Sequence, residues 1–249
     1  MIYVGIDDTD VKDSPGTNQL ARWLIERLRP DYRSLLAVRH QLLFDPRIPY
    51  TSKNSSASLL WEPSPGGSPL DLAARIRELM RQWFVAGSDP GLCATDRVPH
   101  PITAFGRRCQ REIVSQAEAR RLAAEHGIWL EGLGGTEDGV IGALAAVGLV
   151  AGGNDDRVVS LGGGPDDLSG PQDVAVLHAR GVAEIRAVES GEAILTGRVD
   201  VGKHLRPSWR EGRVVLFVTP VPPQTAHAAP WQAVRLAGCI PVPAPAFFG

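Results

Sequence analysis

The chain has 249 residues, 26 Lys plus Arg against 28 Asp plus Glu, a formal net charge of -2 and a hydrophobic fraction of 43%. Residues 1–156 carry 17 basic and 20 acidic side chains and residues 157–249 carry 9 and 8, so neither half has the basic stripe by which a self-sufficient nucleic-acid binder neutralises phosphates. Three scattered cysteines (Cys93, Cys109, Cys239) exclude a disulfide framework and a zinc site.

In chain order, the apolar run 2–6 predicts a buried strand that ends in Asp7-Asp8-Thr9-Asp10. From Thr17 the residues Leu20, Trp23, Leu24 and Leu28 fall at helical spacing, with Thr17 expected as the N-cap. Strands are predicted over 35–44 and 57–61, and a Pro/Gly/Ser loop over 63–69. Ser68 with Asp71 has the form of a capping box opening a helix to Phe84, striped by Leu72, Ile76, Leu79, Met80 and Trp83. Residues 87–101 read as irregular, with Ser88-Asp89-Pro90-Gly91 as a turn.

Ser115 with Glu118 forms a second capping-box candidate, and Gly127 a helix stop. The apolar Ile128-Trp129-Leu130, the glycine-rich loop 132–139 and an apolar helix over 140–150 follow. Residues 151–170 are rich in Gly and Asp around a strand candidate at 158–161 and mark a soft boundary. Beyond them strands are predicted over 182–188, 193–201 and 214–219, and a helix over 230–237. The expected fold class is α/β (α+β), with a domain over 1–156 and a smaller strand-rich domain over 157–249. The 27 glycines and 20 prolines imply many loops, while the apolar runs between them argue against disorder. No apolar run reaches the roughly 18–20 residues of a membrane span, and no signal-type segment opens the chain, which predicts a cytoplasmic protein without a membrane partner.

Asp7, Asp8 and Asp10 are the sharpest candidates for chemistry. Three carboxylates within four residues repel one another unless a cation or hydrogen-bond donors neutralise them, and hard oxygen ligands suit magnesium beside substrate phosphates. A solvated turn whose aspartates cap the next helix is the competing reading. Thr17 is either a plain cap or, if the acidic loop holds metal and phosphate, a hydroxyl facing phosphorus. The loop Gly132-Leu133-Gly134-Gly135-Thr136-Glu137-Asp138-Gly139 opens a helix in the manner of an anion site but has neither the Walker nor the dinucleotide pattern. In the polar loop 45–56, Arg47 and Lys53 are cations able to pair with phosphate or simply to stay solvated. The six histidines show no metal-type spacing.

Four of these segments, in this order, resemble the archaeal isoleucine-tRNA 2-agmatinylcytidine synthetases (TiaS). They are Gly5-Ile6-Asp7-Asp8-Thr9-Asp10 with Thr17 and Leu20-Ala21; Pro46 and Ile48-Pro49-Tyr50 before a polar loop and Ala57; Asp89-Pro90-Gly91; and the run from Gly139 to Gly148. The resemblance covers about 1–160 well and the remainder loosely. It implies an ATP-dependent kinase-like domain followed by a ferredoxin-like domain, without the family's OB-fold and zinc ribbon. By position it implies that Asp7, Asp8 and Asp10 hold Mg2+ on the ATP phosphates and that Thr17 matches an autophosphorylated threonine. Lys53, Asn54, Gly134, Gly135, Thr136 and Gly139 would then contribute to the nucleotide site. Two departures stand out: Asn54-Ser55-Ser56 replaces the family's Gly-Asn-Gly, and Asp138 stands where an arginine is expected. The expected function is a magnesium-dependent ATP phosphotransferase whose acceptor is a nucleotide, a small metabolite, or a tRNA presented by a partner protein. The alternatives are a non-catalytic nucleotide-binding module and a loop-rich scaffold without a ligand.

Overall fold

The computed structural model describes residues 1–49, 53–63, 68–164, 166–222 and 229–235. Tyr50 of the polar loop, His227 and Cys239 therefore lie outside the described residues. The chain divides into two compact units, Met1–Gly152 with Val159–Gly163, and Gly153–Val158 with Gly164–Gly249.

In the first unit, strand β1 (Ile2–Asp7) is followed by α1 (Thr17–Leu28), β2 (Ser34–Gln41), β3 (Ser55–Trp61), α2 (Pro69–Trp83) and β4 (Gly91–Thr95). The spatial order is β4-β1-β3-β2 with every pairing antiparallel. This is the βαββαβ order of ferredoxin-like folds, found here in the part of the chain that precedes the segment expected to hold it. α3 (His100–Cys109), α4 (Gln116–Glu125), β5 (Trp129–Gly132) and α5 (Gly139–Ala151) follow, with β5 antiparallel to β4. The strand β6 (Asp155–Leu161) closes this stretch of the chain.

Alternation along β1 builds three layers. Ile2, Val4 and Ile6 point to one face, where Leu20, Leu24 and Leu28 of α1 and Leu72, Ile76 and Met80 of α2 bury against them. Tyr3, Gly5 and Asp7 take the other face by the period of a strand. There α5 lies between the sheet and α3, and all its residues except Ile141 and Ala151 are buried. A helix apolar on every side has no solvated face, and α5 has none to offer. Glycines set its height above the sheet. A Cβ at Gly5 would stand 1.9 Å from the Ala143 carbonyl oxygen, and one at Gly91 2.1 Å from the Gly139 carbonyl carbon.

Two elements of this unit are absent from the sequence reading. β4 occupies the stretch read as irregular; its five residues are all buried and so carry no polar alternation. α3 begins behind Pro99 and buries Ile102, Phe105, Gly106 and Cys109, which fall at helical spacing. The two capping residues act as expected: Ser68 accepts from the Asp71 amide in a full box, and Ser115 accepts from the Glu118 amide.

The second unit is strand-rich, with β7 (Pro171–Asp173), α6 (Val174–Ala179), β8 (Glu184–Ala187), β9 (Arg198–Asp200), β10 (Ser208–Arg210), β11 (Arg213–Pro220) and β12 (Trp231–Ala233). β11 pairs antiparallel with β10 and β12 and parallel with β8, while β9 runs parallel to β12 and antiparallel to β7. One six-residue helix is its only helix among the described residues. Where a helix was expected over 230–237, residues 231–233 form β12, because the hydrogen-bonding edges of β11 and β9 outweigh a weak local helix preference. The strand expected over 193–201 shrinks to Arg198–Asp200 and a lone bridge at Ala193, interrupted by Gly197 at φ +97. No described helix is long and apolar enough to cross a membrane.

Candidate functional site

β1 delivers Asp7 to the face covered by α5. Asp7 sits in register with Gly91, and its carboxylate lies where a Cβ at Gly142 would be 1.7 Å from Oδ2. Burial, followed by repulsion from Asp8 and Asp10, holds the Asp7 acid well above the usual carboxylate range, against a backbone hydrogen bond at Asp8 that lowers it. The next residue, Asp8, adopts φ +50, a left-handed conformation that few residues other than glycine take and that asparagine and aspartate tolerate best. Burial raises its acid to about 6, assisted by Asp89, Asp10 and Asp138. Asp89 and Asp138, from the approach to β4 and the start of α5, thus join the acidic loop.

Asp10 turns to the helix. Its Oδ1 accepts from the Thr17 amide at 3.2 Å and from the Thr17 hydroxyl at 3.1 Å. Gly16, not Thr17, is the N-cap of α1, and it supplies no side-chain bond, so Asp10 does the capping from six residues before it. The Thr17 hydroxyl also lies 3.1 Å from that of Thr9, and both side chains are buried. Asp10 thus caps a helix while its charge also adds to the repulsion that raises Asp7 and Asp8, so the helix-cap role does not separate it from the carboxylate cluster.

The glycine-rich loop closes on Asp89. The Thr136 amide donates to Asp89 Oδ1 at 2.5 Å and the Gly139 amide to the Asp89 carbonyl at 2.9 Å. Gly135 has φ +61, and a Cβ there would fall 2.0 Å from Asp89 Oδ1. Gly134 lies against the Phe84 ring. Glu137 pairs with Arg120 at 2.5 Å, and Asp138 receives the Gln116 side-chain amide at 3.3 Å. Asn54 donates to the Leu43 carbonyl at 2.8 Å, and its own carbonyl accepts from Leu42 and Gln41, so it pins the polar loop between β2 and β3. Lys53 is exposed.

A cavity of about 290 Å3 opens beside this cluster. Asp7, Asp8, Asp138 and Gly142 form one end, Leu42, Ile48, Ile113 and Val114 give it apolar walls, and Asn54, Glu112 and Gln116 give it polar ones. Lys53 and the residues of the 134–136 loop do not line it, whereas Glu112 and Gln116 line it without being expected there, and Asp89, expected only within a turn and a family motif, lies close enough to act on Asp8. Nothing in the spacing of 89, 112, 116 and 138 relates them; only the fold does. Arg47, the cation at the rim, is held by Asp45 at 2.7 Å, and that pairing lowers the Asp45 acid to about 2.

The donor chemistry fits a hard divalent cation. The cluster is made of carboxylate oxygens, and burial together with their mutual repulsion raises Asp8. Among the described residues no three His, Cys, Asp or Glu side chains converge closely enough to hold an ion alone. Magnesium does not require three, since it takes one or two protein carboxylates together with substrate phosphates and water.

No family model matches the chain, and no curated protein matches it. Solved structures do. The structure of a tRNA fluorescent labeling enzyme is 26% identical with a TM-score of 0.52, covering 59% of this chain and 35% of that one. The TiaS–tRNA(Ile2)–ATP complex gives 26% identity and a TM-score of 0.52 over 59% and 36%. Apo TiaS, a tRNAIle2 agmatidine synthetase, gives 25% and 0.51 over 59% and 35%. This chain spans about a third of the length of those proteins. Over 59% of its residues, then, the chain has a mixed α/β fold similar to that of TiaS, a tRNA-modifying enzyme.

Proposed function

We propose that the first unit is a magnesium-dependent ATP site of the kinase-like type and that the protein is a phosphotransferase. The observation that carries this reading is the convergence of Asp7, Asp8, Asp89 and Asp138 at the end of β1 beside a cavity, where burial first, and then the charges of Asp89, Asp10 and Asp138, raise the Asp8 acid to about 6. Apposed carboxylates of this kind are stabilised when a cation bridges them, and similarity to a protein solved with ATP makes the nucleotide phosphates the natural companion. Asp7 and Asp8 would hold the metal, which when bound would neutralise charge on the phosphates. The apolar walls from Leu42, Ile48 and Ile113 suit a base or a ribose edge. Asp10 accepts the Thr17 hydroxyl hydrogen at 3.1 Å and is placed to take its proton should Thr17 receive a phosphoryl group. Positioning and charge neutralisation would supply most of the catalysis, as phosphoryl transfer requires. The acceptor is proposed to be a nucleotide, a small metabolite or a tRNA presented by a partner protein.

A second reading, a nucleotide-binding module without turnover, draws on the Thr136 and Gly139 amides. Both are already bonded to Asp89 and unavailable to phosphate. Incubation with Mg2+ and ATP labelled at the α or γ position separates the two. Turnover or self-labelling that Asp8→Asn abolishes supports the enzyme, and loss of self-labelling alone in Thr17→Ala assigns the acceptor hydroxyl. Binding without turnover supports the module. Absence of binding at millimolar ATP refutes both.

A further inference from the structure

A second cavity, of about 320 Å3, lies within the second unit, and its lining is cationic. The parallel strands β9 and β12 lie side by side with Trp231 opposite Val199, so both leave the sheet at the same end. After β9 the chain turns at Gly202, which has φ +71 and whose amide donates to the Asp200 carboxylate at 2.8 Å. That turn brings Lys203, His204 and Arg206 beside Arg235, the second residue beyond β12. Among the described residues, no carboxylate lines the cavity.

Arg206 is the fixed member. Its side chain is 9% exposed, and its two terminal nitrogens hold Asp166 at 2.7 and 2.5 Å. Asp166 also lies 3.5 Å from His204 Nδ1. One carboxylate thus balances one guanidinium, while Lys203 and Arg235 stand exposed at the same cleft. The whole chain has only three lysines, and residues 157–249 hold nearly as many acids as bases, so composition alone does not concentrate cations here. Like charges facing one cavity repel, and a multivalent anion relieves that repulsion. Guanidinium and ammonium groups together suit phosphate oxygens, the first by paired N–H donors and the second as a point charge.

We propose that the cleft formed by Lys203, His204, Arg206 and Arg235 at the ends of β9 and β12 is a binding site for phosphate groups. The phosphates belong either to a free polyphosphate or nucleotide or to an RNA backbone, two sources that share this chemistry. Calorimetric titration of the full chain with tripolyphosphate in EDTA addresses the first, because chelation removes any metal-dependent binding at the aspartate cluster. Anisotropy of a labelled RNA duplex at several salt concentrations addresses the second. The test variant is Lys203→Ala with Arg235→Ala, two exposed side chains whose loss leaves the buried Arg206–Asp166 pair intact. Asp8→Asn serves as the control for the first unit. The expected result is binding of at least one probe, weakened tenfold or more in the double variant and unchanged in Asp8→Asn. If RNA is the ligand, its log–log salt slope falls by about 2 as two phosphate contacts are lost. Failure of both probes to bind, or equal affinity in wild type and double variant, overturns the proposal.

Discussion

Asp8 combines a left-handed backbone, partial burial and three neighbouring carboxylates, a combination that costs stability in the empty protein. Its acid is about 6 in the folded chain against an ordinary value near 3.8, so between roughly pH 4 and pH 6 the folded state binds a proton that the unfolded state does not. The empty protein therefore gains stability from this residue as the pH falls through 6, and lacks that gain at pH 7 and above. Asp7, raised for the same reasons, acts in the same direction. Asp8→Asn should raise the melting temperature at pH 7.5 by about 2–6 °C, an expectation of about 1–2 kcal/mol after allowing for solvent screening. The same variant should lose magnesium-dependent ATP binding. Thermal unfolding at pH 5 and 7.5, with and without Mg-ATP, checks both halves; an Asn variant less stable than wild type at pH 7.5 would contradict the account.

Among the elements, α5 decides where the site can be. Its glycines and alanines let it press onto β1 and β4, and that approach turns Asp7 against Gly142 and brings Asp138 towards Asp8. Gly5→Ala would put a methyl 1.9 Å from a backbone oxygen of α5, and backbone cannot rotate away as a side chain can. A loss of about 3 kcal/mol is expected in chemical denaturation, with weaker ligand binding as α5 lifts. Local chemistry explains why some elements were legible and others not. Ser68 and Ser115 cap helices through residues three positions away, a relation present in any short window. β4 has all five residues buried and no alternation, and the 231–233 segment becomes a strand only because β11 and β9 offer it partners.

For the molecule as a whole, the boundary inside β6 gives the last test. Val159 belongs to the core built by α1, α2 and the sheet, the Gly162 amide donates to the Leu35 carbonyl at 2.7 Å, and Arg29 donates to the Gly163 carbonyl. A fragment of residues 1–163 should therefore fold and keep the proposed nucleotide site, while one of 1–152 should lose about 2–3 kcal/mol by uncovering Val159's place and the β2 edge. Urea denaturation of the two fragments measures the difference, and equal stabilities would show that 159–163 do not belong to the first core.

The sequence by itself determined the acidic loop behind an apolar strand, the capped helices and the apolar glycine-rich helix, because each depends on residues within a turn or two of one another. It also determined that the chain lacks the surplus of basic groups of a self-sufficient nucleic-acid binder, its net charge being -2. Only the tertiary structure decided the antiparallel β4-β1-β3-β2 order, the closing of the glycine loop on Asp89 and the gathering of Lys203, Arg206 and Arg235. Those relations join segments far apart in the chain, and they depend on which buried faces fit together, something no local spacing encodes.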